Sequence, residues 1–137
     1  MPKRAATKVV SAEIPAQLSA ASQFAIAAAR LAANTRCTNV AVLDVSGLSP
    51  VCDFFVIATG TSARQMRTVV KEIAEMGERS EFATFGIAGE EGETWILLDC
   101  IDVVVHLFSA EARMYYDLDN LWGDAKRVEW EDGGKRL

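Results

Sequence analysis

Two short hydrophobic runs, Trp95–Asp99 and Asp102–Phe108, lie close together in the second half of the chain. Each has the length and the β-branched content of a strand, and the two-residue gap between them predicts a β-hairpin. With residues 100 and 101 as the loop, the predicted register pairs Trp95 with His106, Leu97 with Val104, and Asp99 with Asp102.

The two faces of this hairpin differ in chemistry, because side chains alternate between the faces of a strand. One face is wholly apolar and indicates a core. The other combines aromatic, aliphatic and acidic side chains with the only histidine of the chain: Trp95, Leu97, Asp99, Asp102, Val104 and His106. A face of this makeup is either half-solvated or built to contact a partner.

The rest of the chain divides into helical and extended segments. The predicted helices are 16–34, 62–76, 109–116 and 117–122. The predicted strands outside the hairpin are 39–45, 53–59 and 81–85, and the glycine-rich residues 86–93 are expected to form a mobile loop. Ser62 and Gln65 have the spacing of a capping box, and Gly77 is expected to end that helix. Ser109 and Asp117 are expected to cap the two short helices.

This order of elements predicts an α+β fold, with a mixed sheet of about five strands flanked by helices. The first two strands are about seven residues apart, which favours a hairpin, and their near-continuous hydrophobicity indicates central strands covered on both faces. One domain is expected over residues 16–130, between flexible tails at 1–15 and 131–137.

The charge distribution bears on the class of partner. The net charge is -5, and residues 1–12 carry +3, which leaves -8 for the remainder. An acidic body is poorly suited to neutralising phosphates, so nucleic-acid binding is not expected to supply the affinity. The balance fits a basic protein partner, or solubility alone.

Three cysteines, Cys37, Cys52 and Cys100, are an odd number without CxxC spacing, so reduced and buried thiols are expected. A single histidine cannot form a histidine-rich metal site, and no cofactor is expected. No apolar run is long enough for a membrane span. The basic N-terminus favours a bacterial tail and a cytoplasmic protein over an organellar transit peptide.

Thr59–Ser62 follows a predicted strand and precedes a predicted helix, which is where a phosphate-binding loop would lie. The segment has one glycine and no following lysine, so it matches neither the P-loop nor the dinucleotide fingerprint. Ordinary helix capping is the favoured interpretation.

The histidine and the two acids of the hairpin have competing interpretations. A general base would need an orienting acid and a substrate, so a strand histidine stacked on Trp95 is favoured for His106. Asp99 and Asp102 could simply flank a turn, or they could form ion pairs with a lysine or arginine of another molecule. Tyr115 and Tyr116 are of the type that interfaces favour.

Four segments together resemble the ribosomal silencing factor, or Iojap-like, family. They are residues 53–65 (DFFVIATGTS and Gln65), 95–99 (WILLD), 102–108 (DVVVHLF) and 115–124 (YYDLDNLWGD). The resemblance extends from about Phe24 to Trp130.

The resemblance implies a small protein with a mixed sheet, related in fold to nucleotidyltransferases but without their catalytic set. It implies a non-enzymatic repressor of translation that binds the large ribosomal subunit through ribosomal protein uL14 and blocks joining of the small subunit. A homodimer is also implied. Independently of the resemblance, no direct nucleic-acid binding is expected beyond incidental rRNA contact. The expected contact residues on this chain are Trp95, Leu97, Asp99, Asp102, Val104, His106, Tyr115 and Tyr116.

Two other functions stay open from the sequence. One is a biogenesis factor for the large subunit. The other is a nucleotide-using enzyme on a nucleotidyltransferase-like fold, with Ser62 at a phosphate and Asp99, Asp102 or His106 at a metal. One departure from the family pattern also matters, because family members usually have glycine where this chain has Ile101. A β-branched residue resists the positive φ of a tight hairpin turn, which leaves the loop type and the register open.

Overall fold

The computed structural model describes residues 14–131. Its helices are α1 (Ala20–Asn34), α2 (Ala63–Glu78), α3 (Ala110–Tyr116) and α4 (Leu118–Leu121). Its strands are β1 (Thr38–Asp44), β2 (Phe54–Thr59), β3 (Gly86–Ala88), β4 (Trp95–Asp99), β5 (Val103–Phe108) and β6 (Lys126–Arg127). The predicted tails lie almost wholly outside the described residues and stay predictions. Within residues 14–131, no helix is long and apolar enough to cross a membrane.

The six strands form one mixed sheet in the order β3-β4-β5-β2-β1-β6. β2 and β5 are parallel, and the other neighbouring pairs are antiparallel. The α+β class and the β1–β2 hairpin are therefore confirmed. All six residues of the central β2 are buried, as expected for a strand covered on both faces.

Helices cover the two faces of the sheet unequally. The long helices α1 and α2 pack on one face, where Phe24 and Ile73 join the apolar hairpin residues Ile96 and Leu98 in the larger core cluster. The short helices α3 and α4 pack on the other face through a smaller cluster that includes Leu118. The mixed hairpin face lies on this second side and is only partly covered.

The β4–β5 hairpin has a different register from the prediction. Trp95 pairs with Phe108, Leu97 with His106, and Asp99 with Val104. The loop consists of Ile101 and Asp102, because Cys100 is buried and its N–H donates to the Val103 carbonyl at 2.9 Å. A shift of two residues leaves the faces unchanged, apart from Asp102, which moves into the turn, and Phe108, which joins the mixed face.

The edge strands also differ from the prediction. Residues 81–85 were expected to be a strand, but β3 lies at Gly86–Ala88, inside the segment expected to be a loop. The reason is that Phe82 turns into the core and stacks on Phe24, with ring centroids 4.9 Å apart. β6 was not predicted, since its two residues are basic and exposed.

The predicted cap of α2 by Ser62 is confirmed, but Gln65 bonds back to the residue before the cap and not to Ser62 itself, so the capping box is only partly formed. The Ser62 Oγ accepts from the Gln65 N–H at 3.0 Å, and the Gln65 Oε1 accepts from the Thr61 N–H at 3.0 Å. The Gln65 amide also donates to the Thr35 carbonyl at 2.7 Å, which ties the start of α2 to the end of α1. Ser109 caps α3 through the Ala112 N–H, whereas Asp117 precedes α4 without a side-chain capping bond.

The C-terminal segment packs along the outer edge of β1. The buried Arg30 donates from Nε to the Trp130 carbonyl at 2.6 Å, and the Trp130 indole N–H donates to the Val40 carbonyl at 3.2 Å. The Val128 N–H bonds the Val42 carbonyl at 2.9 Å. Together with β6, the segment up to Trp130 therefore covers the outer edge of β1.

Gly77 lies inside α2 and does not end it, since the helix runs on to Glu78. A Cβ at this position would collide with the Phe82 carbonyl oxygen. We expect Gly77→Ala to lower the free energy of unfolding by about 2 kcal/mol, through overpacking of this contact. Chemical denaturation measures the change.

Gly47→Ala is the matched control, because a Cβ there meets nothing within 4 Å. It should change stability by less than about 0.5 kcal/mol. Equal stability of the two variants would contradict the role assigned to Gly77.

Candidate protein-binding surface

Aromatic rings gather at one end of the mixed hairpin face. The half-buried Trp95 ring lies 4.8 Å from the Phe108 ring and 4.7 Å from the Tyr116 ring, centroid to centroid. Tyr116 is 48% exposed, and Tyr115, which meets it edge-on at 5.0 Å, is 81% exposed. We call Trp95, Tyr115 and Tyr116 the aromatic patch.

His106 supports this patch from below and does not lie on the surface. It is only 5% exposed, which corrects its assignment as a direct contact residue. The Trp95 indole N–H donates to the His106 Nδ1 at 3.2 Å. The expected contact between the two rings is present, but they are tilted by 41° with centroids 5.9 Å apart and do not stack. An indole N–H can only donate, so Nδ1 is the acceptor and the proton of the neutral ring is on Nε2.

The environment of His106 keeps the ring neutral. Burial lowers its pKa to about 4. Among the described residues, Nε2 has no hydrogen-bond partner, and the Phe55 ring meets the imidazole edge-on at 5.0 Å. A buried neutral imidazole without an orienting acid is suited to holding Trp95 and not to general-base chemistry.

Acidic side chains gather at the opposite end of the hairpin. Asp99 is half-buried, and its Oδ1 accepts from the Ile101 N–H at 2.8 Å, which is a turn-stabilising role. Asp102 is exposed, and its carbonyl accepts from the N–H groups of Asp53 and Phe54 at 2.9 and 3.1 Å. We call Asp53, Asp99 and Asp102 the acidic end.

The three carboxylates of the acidic end all lie close enough to the Cys52 thiol to affect its pKa. Burial is the main reason that the pKa of Cys52 is raised, and the negative charges of Asp53, Asp99 and Asp102 add to it. Burial also raises the pKa of Cys100, to about 11. Together with the buried and unbridged Cys37, these thiols are the small hydrophobes that were expected.

Leu97 and Val104 connect the aromatic patch to the acidic end. Both are half-buried on the mixed face, and they lie opposite His106 and Asp99 in the ladder. These two residues, the aromatic patch and the acidic end lie on the same face of the sheet, and we call their exposed parts together the docking face.

An ion pair holds α3 and its two tyrosines in place. Arg113 contacts both carboxylate oxygens of Asp119, at 2.8 and 2.9 Å, and its Nη1 donates to the Thr59 Oγ1 at 3.0 Å. The bonds from Arg113 lower the pKa of Asp119. This pair was not predicted from the sequence, because the two residues are six apart and Asp117 between them has a left-handed backbone conformation. Trp122 packs edge-on against Phe55 and helps to close this side of the core.

The other candidate chemistry is accounted for by the fold. The Ser62 hydroxyl is engaged in capping α2. Within residues 14–131, no group of three or more histidine, cysteine or acidic side chains could hold a metal ion.

Comparison with known proteins identifies the family. The model of the family described as "Ribosomal silencing factor during starvation" matches residues 18–136. The chain belongs to this family. The match includes both the hairpin and the α3–α4 segment, so the whole docking face lies within the family domain.

Individual relatives agree with the family model. The chain is 38% identical over 92 residues to the ribosomal silencing factor of Halalkalibacterium halodurans, covering 67% of this chain and 79% of that one. It is 35% identical over 98 residues to the ribosomal silencing factor of Bacillus subtilis, and the match covers 72% of this chain and 83% of the Bacillus protein. A crystal structure of a Chromobacterium violaceum protein superposes on this chain with a TM-score of 0.68 at 29% sequence identity. The superposition covers 85% of this chain and 93% of the Chromobacterium protein.

The lowered pKa of His106 predicts a pH dependence of stability. The unfolded state takes up this proton near pH 6.5 and the folded state only near pH 4, so the unfolded state holds more protons in between. Stability should therefore fall as the pH falls from 6.5 to 4, by up to about 3 kcal/mol from this group. Denaturant titrations across this range measure the fall.

His106→Gln provides the control, since its side chain does not titrate. The wild type should lose more stability than this variant over the same pH range. Parallel losses in the two proteins would show that the imidazole does not contribute.

Proposed function

We propose that this chain binds the large ribosomal subunit through ribosomal protein uL14, using the docking face. Bound there, it blocks joining of the small subunit and represses translation. The action needs a surface and no reaction, because a folded body at an inter-subunit contact excludes the other subunit. We expect it in the compartment of the ribosomes it binds, which is the bacterial cytoplasm.

The observation that carries this proposal is the composition of the docking face. An aromatic patch and an acidic end lie on one surface of a chain whose net charge is -5. Aromatic side chains are the commonest anchors of protein interfaces, and complementary charge sets orientation and association rate. A basic ribosomal protein fits both features.

The dimensions of the face support a protein partner. Trp95 and Asp99 are the first and last residues of β4, which sets the two ends of the face about 13 Å apart. A stable complex buries about 800 Å² on each partner. The partner would therefore extend onto the outer surface of α3 and α4, where Met114 and Leu121 are exposed.

We expect Asp102→Arg and Tyr116→Ala to weaken binding to purified large subunits at least about tenfold, by removing a charge contact and an aromatic anchor. The Asp102 side chain is exposed, so Asp102→Arg should keep the wild-type melting temperature. Tyr116→Ala also loses the ring contact with Trp95 and should lower it modestly. Co-sedimentation with large subunits and binding to isolated uL14 are the measurements.

Glu129→Arg makes the same charge change at the β1–β6 edge, on the far side of the sheet, and serves as the control. It should bind like the wild type. Undiminished binding by both docking-face variants would remove this surface from the proposal.

Subunit joining separates silencing from biogenesis. Excess wild-type protein should keep purified small and large subunits apart in a sucrose gradient, and Asp102→Arg should not. Binding without any effect on joining would favour the biogenesis role. Sedimentation of the free protein also tests the expected homodimer.

A titration with ATP or GTP and Mg²⁺ tests the enzyme alternative. We expect no binding tighter than millimolar, because Ser62 is engaged as a helix cap and Asp99 in the hairpin turn. Micromolar binding would overturn the non-enzymatic proposal.

A further inference from the structure

Ile101 has a backbone conformation that its side chain disfavours. Its φ is +72°, in the left-handed region, where a β-branched residue is a genuine outlier. The residue is at the tip of the β4–β5 hairpin, next to two members of the acidic end. Glycine or asparagine takes up this conformation with less strain.

The turn does not need the isoleucine side chain. Its geometry is held by backbone and carboxylate groups: the Asp99 Oδ1 accepts from the Ile101 N–H, and the Cys100 carbonyl accepts from the Asp102 N–H at 2.9 Å. The side chain is 55% exposed and does not belong to either core cluster. The fold therefore carries a strained residue whose side chain contributes little to it.

The surroundings of Ile101 form an apolar and acidic surface. The Asp102 carbonyl binds the Asp53 N–H, which brings the β1–β2 loop to the hairpin tip. Val51, two residues earlier in that loop, is 78% exposed. Apolar side chains interleaved with carboxylates complement a partner that offers an apolar depression bordered by lysine or arginine.

We propose that Ile101 is a specificity-determining contact of the docking face, inserting its side chain into such a depression on the basic ribosomal protein. The inference rests on the proposed function. Strain that persists at an exposed position is explained when the side chain is buried in the complex. The acids on either side then orient the partner around it.

Ile101→Gly and Ile101→Asn separate the two roles of this residue. Both should raise the melting temperature, because the turn loses its strain. Both should weaken binding to purified large subunits by about tenfold, because the apolar contact is lost. Ile101→Val keeps the branched apolar side chain and should bind within about threefold of the wild type.

The outcomes distinguish this inference from the proposed function. If Ile101→Gly binds like the wild type while Asp102→Arg does not, the docking face stands and the role of Ile101 is refuted. If Ile101→Gly fails to raise the melting temperature, the strain argument is refuted. If neither Ile101→Gly nor Asp102→Arg weakens binding, the docking face is refuted, whereas the proposed function itself fails only if the wild type does not bind large subunits.

Discussion

The hydrogen bond from the Trp95 indole to the buried His106 is the interaction on which the docking face depends. It holds a large ring at the surface in one orientation, with Phe108 below it and Tyr116 beside it. An aromatic anchor that is already ordered loses less side-chain entropy on binding than a mobile one. Burial keeps the imidazole neutral at physiological pH, so the acceptor stays available.

The unequal covering of the sheet explains why a surface is left at all. Two long helices bury one face completely enough to form the larger core. The two short helices reach only part of the other face, and the Arg113–Asp119 pair joins one helix to the other. Leu97 and Val104 therefore stay half-exposed, between rings at one end and carboxylates at the other.

Hydrophobic periodicity and capping residues were sufficient to predict most of the elements and the fold class. Register and edges were harder to predict. The hairpin loop depended on whether Cys100 would be buried at the cost of a positive φ at Ile101, a balance between tertiary packing and local strain. Strands as short as β3 and β6 carry no periodic signal, and the burial of His106 depends on Phe55, which is far away in sequence.

Both borders of the sheet are short or covered. β3 has three residues, and on the other side β6 and the segment up to Trp130 lie along β1, with Arg30 holding that segment in place. Long open strands recruit other chains through their backbone groups and lead to aggregation. A protein with this arrangement can display an exposed aromatic surface at high concentration while giving neighbouring molecules little backbone with which to extend the sheet.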